Sequence, residues 1–408
     1  IVGTYETYAG AREIDGRGFL VLPGLVNIHS HPASEPMNKG WNDEIGSPKL
    51  YNSSLYEIMP IFRPDPEGVP AAATVAYAEL LRSGVTTLVD LSVAWEGWLD
   101  LAAQSGLRVV LAPMYRSARW YTANGHVVAY EWDEAAGLKA MEAAHALVDR
   151  AAGHASGRLS GMIAPSQIDT CTPELIKASL AAAKARGLKM QIHAAQSVVE
   201  VHEIPRRHGL LPIAWLDSLG VLGGDTIIGH GIFLDHHSSV HWPKGGELGR
   251  LQESGTSVAH CPTVFLRRGI ALQTFGGYVR KGVTVGIGTD TFPHNMIEEI
   301  RAALYTSRIV AEDPFDVTTA DGLHAATIGG ATALGRSDIG RLAVGARADI
   351  VMADCRHESM RPVRDPLRSL VYAAADRAVR HVFIDGRQVV ADGRVTTLDL
   401  AAAAERLE

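Results

Sequence analysis

The chain has 408 residues, of which 47 % are hydrophobic and 20 % charged, and carries a formal net charge of −7. That length exceeds the roughly 250–300 residues at which a single core stops growing, so one large domain and a smaller one are expected. No Lys/Arg run could neutralise successive phosphates, and no apolar run approaches the about 20 residues of a membrane span; nucleic acid and membrane are excluded as expected partners, which leaves a small molecule.

In chain order, "IVGTYETYAGAREID" starts at Ile1 as if inside a β-hairpin, so part of an N-terminal segment is expected to be missing. Residues 1–19 are assigned to a small β domain. Over 20–337, eight Val/Ile/Leu-rich runs alternate with Ala-rich helical stretches: "GLVNIH", "VTTLVD", "LRVVLA", "LSGMIA", "LKMQIH", "DTIIGH", "TSVAH" and "VTVGIGTD". Eight such units predict an α/β fold, a (β/α)8 TIM barrel with its active site at the carboxyl ends of the strands. In "TPELIKASLAAAKARG", Thr172 is the expected N-cap, Pro173 the first helical residue and Gly187 the stop. Beyond residue 338 the Gly-punctuated short strands of "GRLAVGARADIVMAD" and "VRHVFIDGRQVVADGRV" predict a small β-sandwich domain built from both chain ends, with "DLAAAAERLE" as a terminal helix. Cys171, Cys261 and Cys355 lack CxxC spacing, and no signal peptide opens the chain, which suits a reducing cytoplasm.

Six of the eight runs end in His or Asp, and four of these carry the argument. "IHSH" places His29 and His31 two residues apart, on the same side of a strand. Each of His193 and His230 taken alone is a core histidine; together with Asp290 they close strands at the barrel mouth where the HxH pair also sits. Three nitrogens and an oxygen suit Zn²⁺, Co²⁺, Mn²⁺ or Fe²⁺. In "DHHSSVH", by contrast, His236, His237 and His241 are expected to be solvated loop residues.

"LPGLVNIHSH", "IHAAQ", "IGHG", "VAHCPT" and "VGIGTD", in this order, resemble the amidohydrolase superfamily, in the mononuclear branch that contains heteroaromatic-ring deaminases and chlorohydrolases. The resemblance implies that His29, His31, His193 and Asp290 hold one divalent ion, zinc first, with Co, Mn or Fe as alternatives. It also implies that Asp290 and His230 are catalytic, His230 contacting the water or substrate, and that the chain forms a homo-oligomer. A bound divalent ion lowers the pKa of its water from about 15.7 toward about 7. "IAPSQ" has no Lys to bridge a second metal, and Lys189 lies at the wrong end of its strand.

Two positions depart from the ring deaminases: Gln196 stands where they carry a proton-shuttling Glu, and Ser166 where they often carry a His. An amide cannot shuttle a proton, but it can hydrogen-bond a substrate. "SEPMNKG" resembles the phenylurea and thiocarbamate (molinate) hydrolases. The expected reaction is therefore hydrolysis at a carbonyl-type carbon of a small amide, urea, carbamate or thiocarbamate; the alternative is an aminohydrolase or chlorohydrolase of a nitrogen heterocycle. Gln196, Trp41, Ser166, Trp120, Phe292 and His294 are the expected substrate-binding residues, because loops after barrel strands that mix aromatic and polar groups make small-molecule pockets. A catalytically silent scaffold is the third possibility, disfavoured because no ligand has been lost.

Overall fold

The structure, a computed structural model, describes residues 13–407 apart from 52, 54, 62–63 and 243–244; the hairpin expected at the start of the chain falls largely outside them. All eight expected runs form strands. Leu25–Ser30, Val85–Asp90, Arg108–Leu111 and Leu159–Gly161 pair in that order as one parallel sheet, and Met190–Ala194, Thr226–His230, Ser257–His260 and Val285–Ile287 as another. Bridges from Ser30 to Asp290, and from Ile163 to Met190 and Gln167 to His193, join the two sheets at both edges, which is the strand order of a (β/α)8 barrel. These strands are buried almost throughout, the reason their sequences are near-continuous apolar runs.

The helices follow from their caps. In helix Pro173–Arg186 the Thr172 hydroxyl accepts the Leu175 N–H at 3.2 Å, Pro173 starts the first turn, and Gly187 ends the helix in the left-handed region at φ +65°. Its Leu175, Ile176, Leu180 and Ala183 side is buried against the sheet, while Lys184 and Arg186 close its last turn.

The small domain differs from expectation. Phe19–Pro23, Ile350–Asp354, Val379–Ile384, Arg387–Ala391 and Arg394–Val395 make one antiparallel sheet, not a sandwich of two, among the described residues. This sheet buries side chains against the large domain: Val351 lies against Gly84, and Val389 against Gly106. Arg108, 3 % exposed, bridges the two parts, its Nη2 reaching Asp385 Oδ1 at 2.8 Å and Asp349 Oδ1 at 3.3 Å.

A hairpin that the alternating pattern had not revealed, Ala118–Tyr121 with Ala129–Trp132, follows the third strand. Trp120 of this hairpin packs with Leu50 and Tyr56 from the long loop after the first strand, forming a satellite core. No helix of the described residues is long and apolar enough to cross a membrane.

Candidate active site

The ends of the first, fifth, sixth and eighth strands converge. His29 is buried, and its Nδ1 lies against Gln191 Oε1. His31 Nδ1 lies 2.5 Å from the Leu91 carbonyl, and His193 Nδ1 2.6 Å from the Ser166 carbonyl. With each Nδ1–H donating to an oxygen, the Nε2 lone pairs turn inward. His31 Nε2 stands 3.3 Å from His193 Nε2, and Asp290 Oδ1 is 3.5 Å from His29 Nε2 and 3.2 Å from His31 Nε2. The ligand atoms of His29, His31 and His193 lie within 4.8 Å of one another, and His29 Nε2 is buried without a hydrogen-bond partner. His230 Nε2 is 3.8 Å from Asp290 Oδ2.

This donor set fits a divalent ion: three imidazole nitrogens oriented by outer carbonyls, one carboxylate, and an orphaned buried nitrogen. His230 and Asp290 sit in the left-handed region, at φ +84° and +57°, conformations that cost energy outside glycine and gather at functional sites. Gly288 is required by close approach, since a Cβ there would lie 2.6 Å from His29 Cβ and 2.9 Å from Cys261 Sγ.

Electrostatics favour a cation. Burial and then the neighbouring His29, His31 and His230 hold His193 well below the usual imidazole range, and burial does the same to His230. Burial pushes the Asp290 carboxyl up, but His230, His29 and His31 more than offset it and hold it well below the usual range. Burial lowers His31 too, yet Asp290 overrides it and raises the group, a proton held where a metal ion would displace it.

Gln191 was not among the expected site residues, although a polar residue two before His193 inside "KMQIH" faces the same side. Besides receiving His29, it donates Nε2–H to the Ile28 carbonyl at 3.0 Å. Replacing it, Gln191→Leu, is expected to weaken metal affinity about 10–100-fold, read by competition with a chelator. Glu35 was also left without an expected role. It is 7 % exposed, accepts from Asn38 at 3.2 Å, leaves Oε2 unpartnered and is pushed up to about 7, chiefly by burial.

The remaining expected site residues divide. Gln196 is 6 % exposed with Nε2 unpartnered, three residues beyond His193. Glu200 does not replace the missing acid: it is engaged in capping, accepting the Ala195 and Gln196 N–H groups while its own N–H donates to Ser197. Ser166 serves His193 through its carbonyl, accepting both the ring and the backbone N–H. Trp120 donates to Asp169 Oδ2 at 2.8 Å within the satellite core, and Trp41 is 44 % exposed. Phe292 is buried beneath the Arg267 guanidinium, 4.1 Å from the ring centre.

His294, fully buried, turns to helix Val69–Arg82, its Nδ1 3.5 Å from Glu79 Oε2; Lys39 Nζ reaches Glu79 Oε1 at 2.5 Å. Burial alone would raise the Glu79 carboxyl, but the neighbouring His294 ring and the Lys39 ammonium bring it down to about 2 from 4.5. A depressed carboxyl stabilises above its unfolded pKa and loses that contribution as pH falls from 4.5 toward 2. Glu79→Gln is therefore expected to cost about 1–3 kcal/mol at pH 7 and close to nothing at pH 2, measured by urea unfolding across that range.

His237 corrects the solvated-loop expectation: it is buried, with Nε2 3.0 Å from the Ala271 carbonyl and its ring against Phe233, because its loop folds back onto the barrel. His241 is exposed, as expected. Lys189 ties Gly224 and Asp225, away from the cluster.

The chain matches the amidohydrolase family over residues 20–389. It is 30 % identical to a 5-methylthioadenosine/S-adenosylhomocysteine deaminase of Natronomonas pharaonis, over 100 % of this chain and 90 % of the relative. Among solved structures, a zinc-bound adenosine deaminase from Xanthomonas campestris superposes with a TM-score of 0.81 at 25 % identity, covering 96 % of this chain and 84 % of that one. A triazine hydrolase from Arthrobacter aurescens shares the fold, at a TM-score of 0.83 and 21 % identity, with 98 % and 90 % covered. These relatives are deaminases and a triazine hydrolase, and they lend no support to the nearer resemblance of "SEPMNKG" to phenylurea and thiocarbamate hydrolases. With the match running through both the strand-end cluster and the small sheet, the chain belongs to the amidohydrolase family and is a hydrolase.

Proposed function

We propose that the protein is a metal-dependent aminohydrolase with a (β/α)8 barrel, which replaces an exocyclic amino group on a ring carbon of a nucleoside-like nitrogen heterocycle by oxygen from water. The observation that carries this reading is the unpartnered, buried Gln196 Nε2–H three residues beyond His193: a ring nitrogen offers the lone pair it lacks. The kinship to adenosine-type deaminases along the whole chain supports it, and shifts the balance from carbonyl hydrolysis to ring chemistry.

His29, His31, His193 and Asp290 would hold one divalent ion, zinc by analogy with the Xanthomonas structure, which supplies Lewis acidity and an acidified water. Asp290, ionised in this setting, accepts the water proton and passes it to the departing amine. His230, neutral through burial, orients the attacking oxygen by a hydrogen bond. Gln196 donates to the ring nitrogen as electron density collects there. The balance is ring–NH₂ plus water giving ring–OH, or its keto tautomer, plus ammonia.

A second reading, attack on the carbonyl carbon of a urea or carbamate, is favoured by one feature: an amide at position 196 leaves no group to protonate a ring. The test assays metal-loaded protein for ammonia release from adenosine-type heterocyclic amines beside ureas, carbamates and thiocarbamates. Turnover of the heterocycles upholds aminohydrolysis; turnover of the carbonyl compounds alone replaces it.

A further inference from the structure

A second candidate site lies away from the strand-end cluster. Arg82 ends helix Val69–Arg82 just before the amino end of strand Val85–Asp90, whose carboxyl end is at the metal cluster, so a full strand length of roughly 17 Å separates them. Here the helix meets the small sheet across a groove of about 400 Å³ whose lining includes four arginines: Arg82, Arg377, Arg380 and Arg394. Only two carboxylates, Asp376 and Asp392, share the groove.

Those carboxylates are partly committed elsewhere. Asp376 Oδ1 accepts from Asn295 at 2.8 Å and its Oδ2 is 3.9 Å from Arg82, while Asp392 faces His381 at 3.9 Å. Arg377 donates to the Ala373 and Ala374 carbonyls, which fixes its charge in place. The Arg380 and Arg394 side chains make no hydrogen bond or ion pair among the described residues, the carboxylate that Arg380 influences being Asp354. Gly393, at φ +77°, turns the chain just before Arg394 and lies beside Arg380 Nη1. Like charges gathered around one hollow repel one another unless an anion joins them.

The groove is not purely polar. It continues, past the shared Arg82, Gly393 and Arg394, into a hollow of about 870 Å³ walled by Val395, Leu398, Leu400 and Ala404. We propose that this continuous groove binds a small amphiphilic anion, with a phosphate or carboxylate head among the arginines and an apolar body against the Val395–Ala404 wall. Planar guanidinium groups hold either head through paired charge-assisted hydrogen bonds, and the apolar wall adds affinity in proportion to the area it covers.

The test is calorimetric titration of the metal-loaded protein with octyl phosphate, octanoate, inorganic phosphate and the uncharged octyl glucoside. Saturable binding of octyl phosphate or octanoate, tighter than inorganic phosphate, is expected, and the preferred head identifies the anion. The double variant Arg380→Ala/Arg394→Ala is expected to bind about tenfold or more weakly, with an unchanged circular dichroism spectrum. Asp290→Ala is expected to bind as the parent does, which separates this groove from the metal cluster. The proposal is overturned if neither octyl anion saturates, if the double variant binds as tightly as the parent, or if octyl glucoside binds equally well.

Discussion

His193→Ala and Asp290→Ala are each expected to lower turnover by about 10³-fold or more, and to lose stoichiometric metal while keeping the fold. Several kcal/mol of transition-state stabilisation depend on the ion, and each 1.36 kcal/mol is about tenfold in rate. The two variants differ in kind. His193→Ala removes one inward Nε2 and releases the Ser166 carbonyl, while Asp290→Ala removes both a ligand and the acceptor of the water proton. Elemental analysis of dialysed protein beside steady-state kinetics checks both. Asp290→Asn separates the roles further: if metal is retained and turnover still falls, the loss is in proton transfer. Parent-like turnover in His193→Ala and Asp290→Ala would remove the metal mechanism.

Gln196→Glu is expected to raise deamination of a nitrogen heterocycle by about 10²-fold, the lower end of what a positioned general acid contributes. The same change is expected to leave hydrolysis of a urea or carbamate unimproved, because a carbonyl oxygen polarised by the ion needs no ring proton. Gln196→Leu, of similar size but without a donor, is expected to lose activity on both. Buried without a partner, Gln196 has its Nε2 free to meet substrate. A gain of equal size on both substrate classes would show that the carboxylate acts on the water, not on the ring. The pair of variants, measured as kcat and KM on each substrate class, thus distinguishes the two reactions from inside the site.

Much of this was legible in the sequence because barrel strands announce themselves twice, by apolar runs and by the residues that end them. His29, His31, His193, His230 and Asp290 were visible as strand-terminal residues, and the structure brings their side chains together. What could not be read was whatever depends on a distant partner. Gln191 is one polar letter in an apolar run until His29 lies against it from another strand. Trp120 resembled a pocket aromatic, but Asp169 and Tyr56, far off in sequence, draw it into a satellite core. His294 likewise follows the metal-cluster aspartate closely yet turns to Glu79, over two hundred residues away. The expected sandwich shows a single sheet among the described residues for the same reason: strand patterns show that one face is buried, not what buries it.

The Arg108 bridge bears on how independently the two parts of the chain can move. Its guanidinium is shared by buried Asp349 and partly exposed Asp385 between the sheet and the strands. Parting the two would give up this shared ion pair together with the contacts of Val351 and Val389. The small sheet and the strands are therefore fastened together as one unit.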